Sequence, residues 1–216
     1  MTEFNYRKDS KEQMPYEHYM ELYRQADPKE ISSRLEILYD EEIHSFTVKL
    51  LGTVYHVTWP DYVISHEENS YGYYPLEDMI YAKILVLRYL LESKKAIRFA
   101  DFKTFRELPW GEVYQQQFHG RCILRLAYGF GNKPEQFKKI GEILGGLPLK
   151  YGDVSFELEL FDGYRVRFII WEGDEEFPPS SQILFSDNFA DGFSAEDRVV
   201  TGDVCIGTFK ALSKTL

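Results

Sequence analysis

Residues 154–170 read VSFELELFDGYRVRFII, and the way this stretch pairs with itself decides the fold. Val154, Phe156, Leu158 and Leu160 alternate with Ser155, Glu157 and Glu159. After Asp162-Gly163, Tyr164, Val166, Phe168 and Ile170 alternate with Arg165, Arg167 and Ile169. Period-two alternation marks strands with one buried face. A two-residue Asp162-Gly163 turn would set Leu158 against Arg167. A three-residue loop, Phe161 to Gly163, sets Leu158 against Val166 and Phe156 against Phe168. It also sets Glu159 against Arg165 and Glu157 against Arg167. Apolar faces and charges then match together, so the stretch predicts an antiparallel hairpin with Gly163 in the left-handed region. The charge pairs are expected to be exposed, serving register more than stability.

A second hairpin is expected within 43–64. There Val48 meets Tyr55, Phe46 meets Val57 and His56 faces Thr47 around Leu51-Gly52. His44 is placed on the first of its strands. The remaining signals are helical. Pro15 opens a helix to about Ala26, and Asp27 caps a second at Pro28. Leu76, Ile80, Ile84, Leu87 and Leu91 recur at helical spacing. Further helices are expected near 112–127 and 134–145, the latter between Pro134 and Gly145-Gly146. Residues 181–185 form a short strand, and Ser194 caps a last helix to about Leu212. The fold class is therefore α+β: an antiparallel sheet with helices packed mainly on one side. The domain runs from 15 to 216, after a loose arm over residues 1–14.

Composition narrows the function classes. The chain has 216 residues, 44% of them hydrophobic and 28% charged, enough to bury one core. Its net charge is −10, and residues 172–203 alone carry −8 of it. An acidic chain is a poor non-specific nucleic-acid binder, because phosphate binding needs Lys and Arg to displace counterions. The first eight residues lack the apolar core of a signal peptide, and the most apolar run, Ile80 to Leu91, is broken by Lys83 and Arg88. A cytoplasmic protein with no membrane association is expected. Cys122 and Cys205 have no Cys-x-x-Cys spacing and predict two free, buried thiols.

Three segments resemble a known family. They are Phe105-Arg106-Glu107-Leu108-Pro109-Trp110-Gly111 with Tyr114, then Leu144-Gly145-Gly146, then Trp171-Glu172-Gly173-Asp174-Glu175-Glu176-Phe177-Pro178. Ile183-Leu184-Phe185 and Glu196-Asp197 follow. In this order they resemble the bacterial and archaeal domain of unknown function numbered 3786, strongly over residues 85–212 and loosely before. Ser186 departs from the pattern, which has aspartate directly after the phenylalanine. The resemblance implies a neighbourhood, corrinoid and iron–sulfur metabolism in anaerobes, and no established reaction. Some members carry an added four-cysteine motif. With two cysteines this chain cannot hold a self-contained iron–sulfur cluster.

The residues themselves offer several sites. Glu172, Asp174, Glu175 and Glu176 directly follow a strand and, with Asp187, could supply oxygen ligands to a divalent cation or a carboxylate pair for acid–base work. They could equally be solvated acids around a Gly173-Asp174 turn anchored by Trp171 and Phe177. Arg106 is expected to pair with a carboxylate of the 172–176 loop, or else to meet an anionic ligand. Arg106, Glu107, Tyr114, His119 and Trp171 are the candidate ligand-binding residues. Tyr71, Tyr73 and Tyr74 are expected to pack around a helix start, although stacked aromatics could also take a flat ligand such as a corrinoid. No histidine, serine or cysteine stands in a recognised catalytic spacing. Three functions follow: an accessory ligand-binding protein, a metal-dependent enzyme using the acidic loop, or a module that docks a basic protein partner.

Overall fold

The computed structural model describes residues 10–216, so most of the expected arm, residues 1–9, lies outside the described residues. Two helices come first, α1 (Gln13–Gln25) and α2 (Pro28–Leu35). The Asp27 side chain accepts from the Lys29 N–H at 2.8 Å and Pro28 takes the first helical position, as expected. A meander of β1 (Tyr39–Asp40), β2 (Ser45–Leu50), β3 (Thr53–Thr58) and β4 (Ile64–His66) follows. His44 lies in the turn before β2 with φ +49°, off the strand where the alternation put it.

Next come α3 (Pro75–Asp78), α4 (Ile80–Glu92), β5 (Phe102–Thr104) and a 3-10 turn at Phe105–Glu107. The helix expected from Leu76 is broken at Met79, whose φ and ψ are extended. Helix α5 (Gly111–Phe118), a π turn (His119–Ile123) and α6 (Leu124–Phe130) run on without interruption. They form one helix with a bulge. The chain ends with α7 (Pro134–Ile143), β6 (Leu147–Pro148), β7 (Val154–Phe161), β8 (Tyr164–Trp171), β9 (Ser180–Ser186), α8 (Phe189–Gly192) and α9 (Ala195–Leu212).

The class is α+β, and the strands divide between two antiparallel sheets, β1-β2-β3-β4 and β5-β9-β8-β7-β6. Both hairpin registers are the expected ones. Val48 faces Tyr55 and Phe46 faces Val57; Leu158 faces Val166 and Phe156 faces Phe168. Gly163 sits at φ +80°. The turn is the two-residue Asp162-Gly163 and not the expected three-residue loop: Phe161 pairs with Tyr164, and an irregularity between Glu159 and Phe161 restores the expected register beyond it. That bulge turns the Leu160 carbonyl aside. It accepts the Leu51 N–H at 2.9 Å, which joins the two sheets at their hairpin tips. Leu51 is buried and holds φ +49°, a costly conformation for leucine. Its place between the sheets explains why so poor a turn residue is there.

The charge ladder on the second hairpin is not fully exposed. Glu157 is buried, with Arg165 Nη1 at 2.8 Å and Arg167 Nε at 2.9 Å on its two oxygens. The Phe102 ring lies 3.6 Å from the Arg167 guanidinium and covers the pair. The edge strand β5 supplies that cover, and the alternation gave no sign of it.

Helix α9 is the hub. Thirteen of its 18 residues are buried, distributed around its whole circumference. Phe209 meets Phe168 edge-on at 5.0 Å and Phe156 at 5.8 Å, seating α9 on the second sheet. A Cβ on Gly202 would lie 2.5 Å from Cys122 Sγ, so glycine there lets the bulged helix close on α9.

Candidate functional site

The family-like segments build the frame. Glu107 closes a capping box with Thr104, accepting its N–H at 2.8 Å and its hydroxyl at 2.7 Å. Arg106 pairs with Glu112 at 3.1 Å, both largely exposed, and not with the 172–176 loop as expected. The exposed Glu112 lies in the first turn of α5, six residues on from Arg106. A Cβ on Gly111 would fall 1.9 Å from the Phe105 carbonyl oxygen, so only glycine fits. Phe105 stacks on Phe118 at 4.1 Å. Tyr114 is half-buried against the core, and His119 is exposed at the start of the π turn.

The acidic loop is likewise held by its own backbone. Asp174 accepts from the Glu176 and Phe177 N–H groups at 2.8 and 2.7 Å, which holds its carboxyl below the usual range. Asp187 accepts from Ala100 and Asp101 N–H groups, both at 3.2 Å, and ties the strand end to β5. Asp153 accepts from the Glu172 N–H at 2.7 Å. Trp171 lies at the exposed end of β8. Glu172, Glu175 and Glu176 are exposed. Among the described residues no three His, Cys, Asp or Glu side chains converge as a metal site would require. Arg106, Glu107, Tyr114, His119 and Trp171 lie outside the lining of the cavity between α1, α4, the bulged helix and α9.

A different place does concentrate charge. A cavity of about 840 Å³ opens between α1, α4, the bulged helix and α9. Its polar lining includes Arg88, Arg121, Arg125, Asp197 and Asp203, together with Lys11, His18 and Glu196. Its apolar side is formed by Met14, Met79, Ile84, Leu85 and Val200. Asp197 and Asp203 stand on α9 nearly two turns apart, with Val200 between them on the same face.

The two aspartates are held differently. Asp197 closes a capping box with Ser194 and meets Arg88 Nε at 2.9 Å. Arg88 also reaches Glu92 at 3.3 Å, Ser194 Oγ at 3.2 Å and Glu196 at 3.5 Å, so each of its three nitrogens has a partner. Asp203 takes two arginines, Arg121 through Nη2 on one oxygen and Arg125 through Nη1 on the other. The Asp203 side chain is 6% exposed and the arginines 43% and 38%. Burial raises both aspartate carboxyls above the ordinary range, with the arginines opposing the shift.

One turn of the bulged helix separates Arg121 from Arg125. The π turn between His119 and Ile123 sets this stretch, and Cys122 within it rests on α9 through Sγ to the Val199 carbonyl at 3.4 Å. Such bulges recur at functional sites because they re-aim side chains that a regular helix would point elsewhere. Burial pushes the Cys122 and Cys205 thiols upward, so both act as inert packing groups. Arg198, the largest fully buried side chain, donates to the Phe193 carbonyl at 3.0 Å and to the Pro109 carbonyl. Burial lowers it to about 10. It ties the first family-like segment to α9 and does not line the cavity.

The sequence reading passed over the cavity, although it carried a signal. Asp203 interrupts an apolar helical run (Val199, Val200, Val204, Cys205, Ile206), where a lone acid needs a partner if buried. Arg121 and Arg125, four apart, were the available partners. No curated protein and no solved structure matches the chain. The model of one family, Domain of unknown function (DUF3786), matches residues 27–208, most of the chain. The chain therefore belongs to the DUF3786 family.

Proposed function

We propose that this chain is an accessory ligand-binding protein of the bacterial cytoplasm and that its ligand occupies the cavity between α1, α4, the bulged helix and α9. The observation that carries the reading is one concave site where a buried aspartate, two partly exposed arginines and an apolar wall meet. Binding sites are mostly apolar hollows of roughly 300–1,000 Å³ with a few convergent polar groups. The two free, buried thiols suit a reducing compartment. The metal-dependent enzyme is the weaker reading, because the carboxylates of the 172–176 loop are exposed or held by backbone N–H groups. A basic protein partner docking on that loop has only its charge in favour.

The test is thermal stabilisation of the purified protein by a small-molecule set, with cobalamin and divalent cations included for the implied metabolic setting. The same set is applied to Val200→Trp, which fills the cavity. Stabilisation that disappears in Val200→Trp is the expected result. Stabilisation that survives it, or that needs only a divalent cation, would move the site out of the cavity.

A further inference from the structure

The cavity's two halves differ in charge. At the Asp197 end, Arg88 is matched by Asp197, Glu92 and Glu196. At the Asp203 end, two arginines share one carboxylate. Glu12 stands nearby, accepting from the Tyr81 hydroxyl at 3.3 Å, and the Tyr81 ring lies 5.9 Å from the Arg121 guanidinium. Lys210, two turns beyond Asp203 on α9 and outside the cavity lining, lies over Gly129, with its Cε 3.6 Å from where a Cβ would sit. Burial and the charge of Arg125 together hold its ammonium below the usual range. No carboxylate pairs with Lys210 among the described residues.

The donors at this end are also underused. Arg121 gives Asp203 only Nη2 and Arg125 gives it only Nη1. The remaining nitrogens of both forks bond nothing among the described residues. Each guanidinium carries five N–H donors in a plane, a geometry that suits carboxylate and phosphate oxygens. Opposite them the wall is apolar and partly methionine, a side chain that adapts to varied shapes. The cavity is several times larger than an oxyanion alone requires.

Resting on the reading of this cavity as a ligand site, we propose that its ligand is an amphipathic oxyanion. A carboxylate or phosphate head docks on the free nitrogens of Arg121 and Arg125, and an apolar body lies along Met14, Met79, Ile84, Leu85 and Val200. Asp203 sets the spacing of the two forks and stays bonded to both.

The experiment titrates the full chain with octanoate, octyl phosphate, octanol and octylammonium, which share a tail and differ in the head. Binding is followed calorimetrically in the unaltered protein, in Arg125→Gln and in Val200→Trp. Arg125→Gln leaves Asp203 its Arg121 partner, so the fold keeps that ion pair. At least one of the two anions is expected to bind saturably, with octanol and octylammonium weaker. Its affinity should fall about tenfold or more in Arg125→Gln, the cost of one charge-assisted hydrogen bond. The anion that binds more tightly identifies the head group. Octanol or octylammonium binding as well as the anions, and being lost in Val200→Trp, overturns the oxyanion and keeps the cavity. Anion binding unchanged in both variants overturns both readings. No binding by any of the four probes overturns the oxyanion inference, and the broader screen then decides the cavity alone. If Arg125→Gln fails to fold, the ranking of the four probes on the unaltered chain decides.

Discussion

Asp203 shows most clearly how burial and charge divide the work at a single residue. Its side chain is buried while the arginines on it remain partly in solvent, so removing either side has unequal consequences. Asp203→Asn leaves two solvated guanidinium groups and should stay within about 1 kcal/mol of the unaltered protein in urea unfolding. Replacing Arg121 and Arg125 together with Gln strands a buried carboxylate and should cost about 3–5 kcal/mol at neutral pH. The elevated carboxyl also sets a pH signature. The folded chain holds a proton on Asp203 where the unfolded chain has released it, between the ordinary aspartate range and the raised value. Its contribution is complete below that interval and is lost as pH rises through it. The stability difference between the unaltered protein and Asp203→Asn should therefore move in favour of the unaltered protein as pH falls through this interval. Movement in the opposite direction would show that the arginines outweigh burial.

At the scale of the elements, the sequence was informative wherever periodicity and caps act locally. The Asp27 and Ser194 caps, the Pro134-to-Gly145 helix and both hairpin registers follow from neighbouring residues alone. What escaped it depends on distant contacts. Strands β1, β5 and β6 have only two or three residues, too few for a period. The break at Met79 and the π turn answer to packing against α9, since Gly207 faces Met79 and Gly202 faces Cys122. Helix propensity alone would favour Gly202→Ala by about 1 kcal/mol. The 2.5 Å approach to Cys122 Sγ reverses the sign, and a net loss of about 1–3 kcal/mol is expected by thermal or urea unfolding. A Gly202→Ala, Cys122→Ala double variant should recover much of it. Leu51→Gly offers a second comparison. It relieves the left-handed backbone but removes a buried side chain between the sheets, so a net cost of about 2–4 kcal/mol is expected in the same assay.

For the whole molecule, the distinctive family-like segments and the cavity are separate things. The segments hold α5 to the second sheet, cap the loop after β8 and anchor Arg198, which fixes where α9 lies. The cavity draws its arginines and aspartates from α4, the bulged helix and α9, three elements brought together only by the finished fold. The acidity of residues 172–203 accordingly divides between two places. Asp174 and Asp187 secure loops, whereas Asp197 and Asp203 face the cavity. No helix among the described residues is long and apolar enough to cross a membrane. The most direct measurement is methionine-methyl NMR of the unaltered chain during titration with octanoate and octyl phosphate. Of the four methionines, Met14 and Met79 line the cavity and Met20 is buried outside it. Saturable shifts of the Met14 and Met79 methyl signals, with Met20 unmoved, are the predicted result. Saturable binding by either anion that leaves Met14 and Met79 unmoved would contradict the placement of the ligand between α1, α4, the bulged helix and α9.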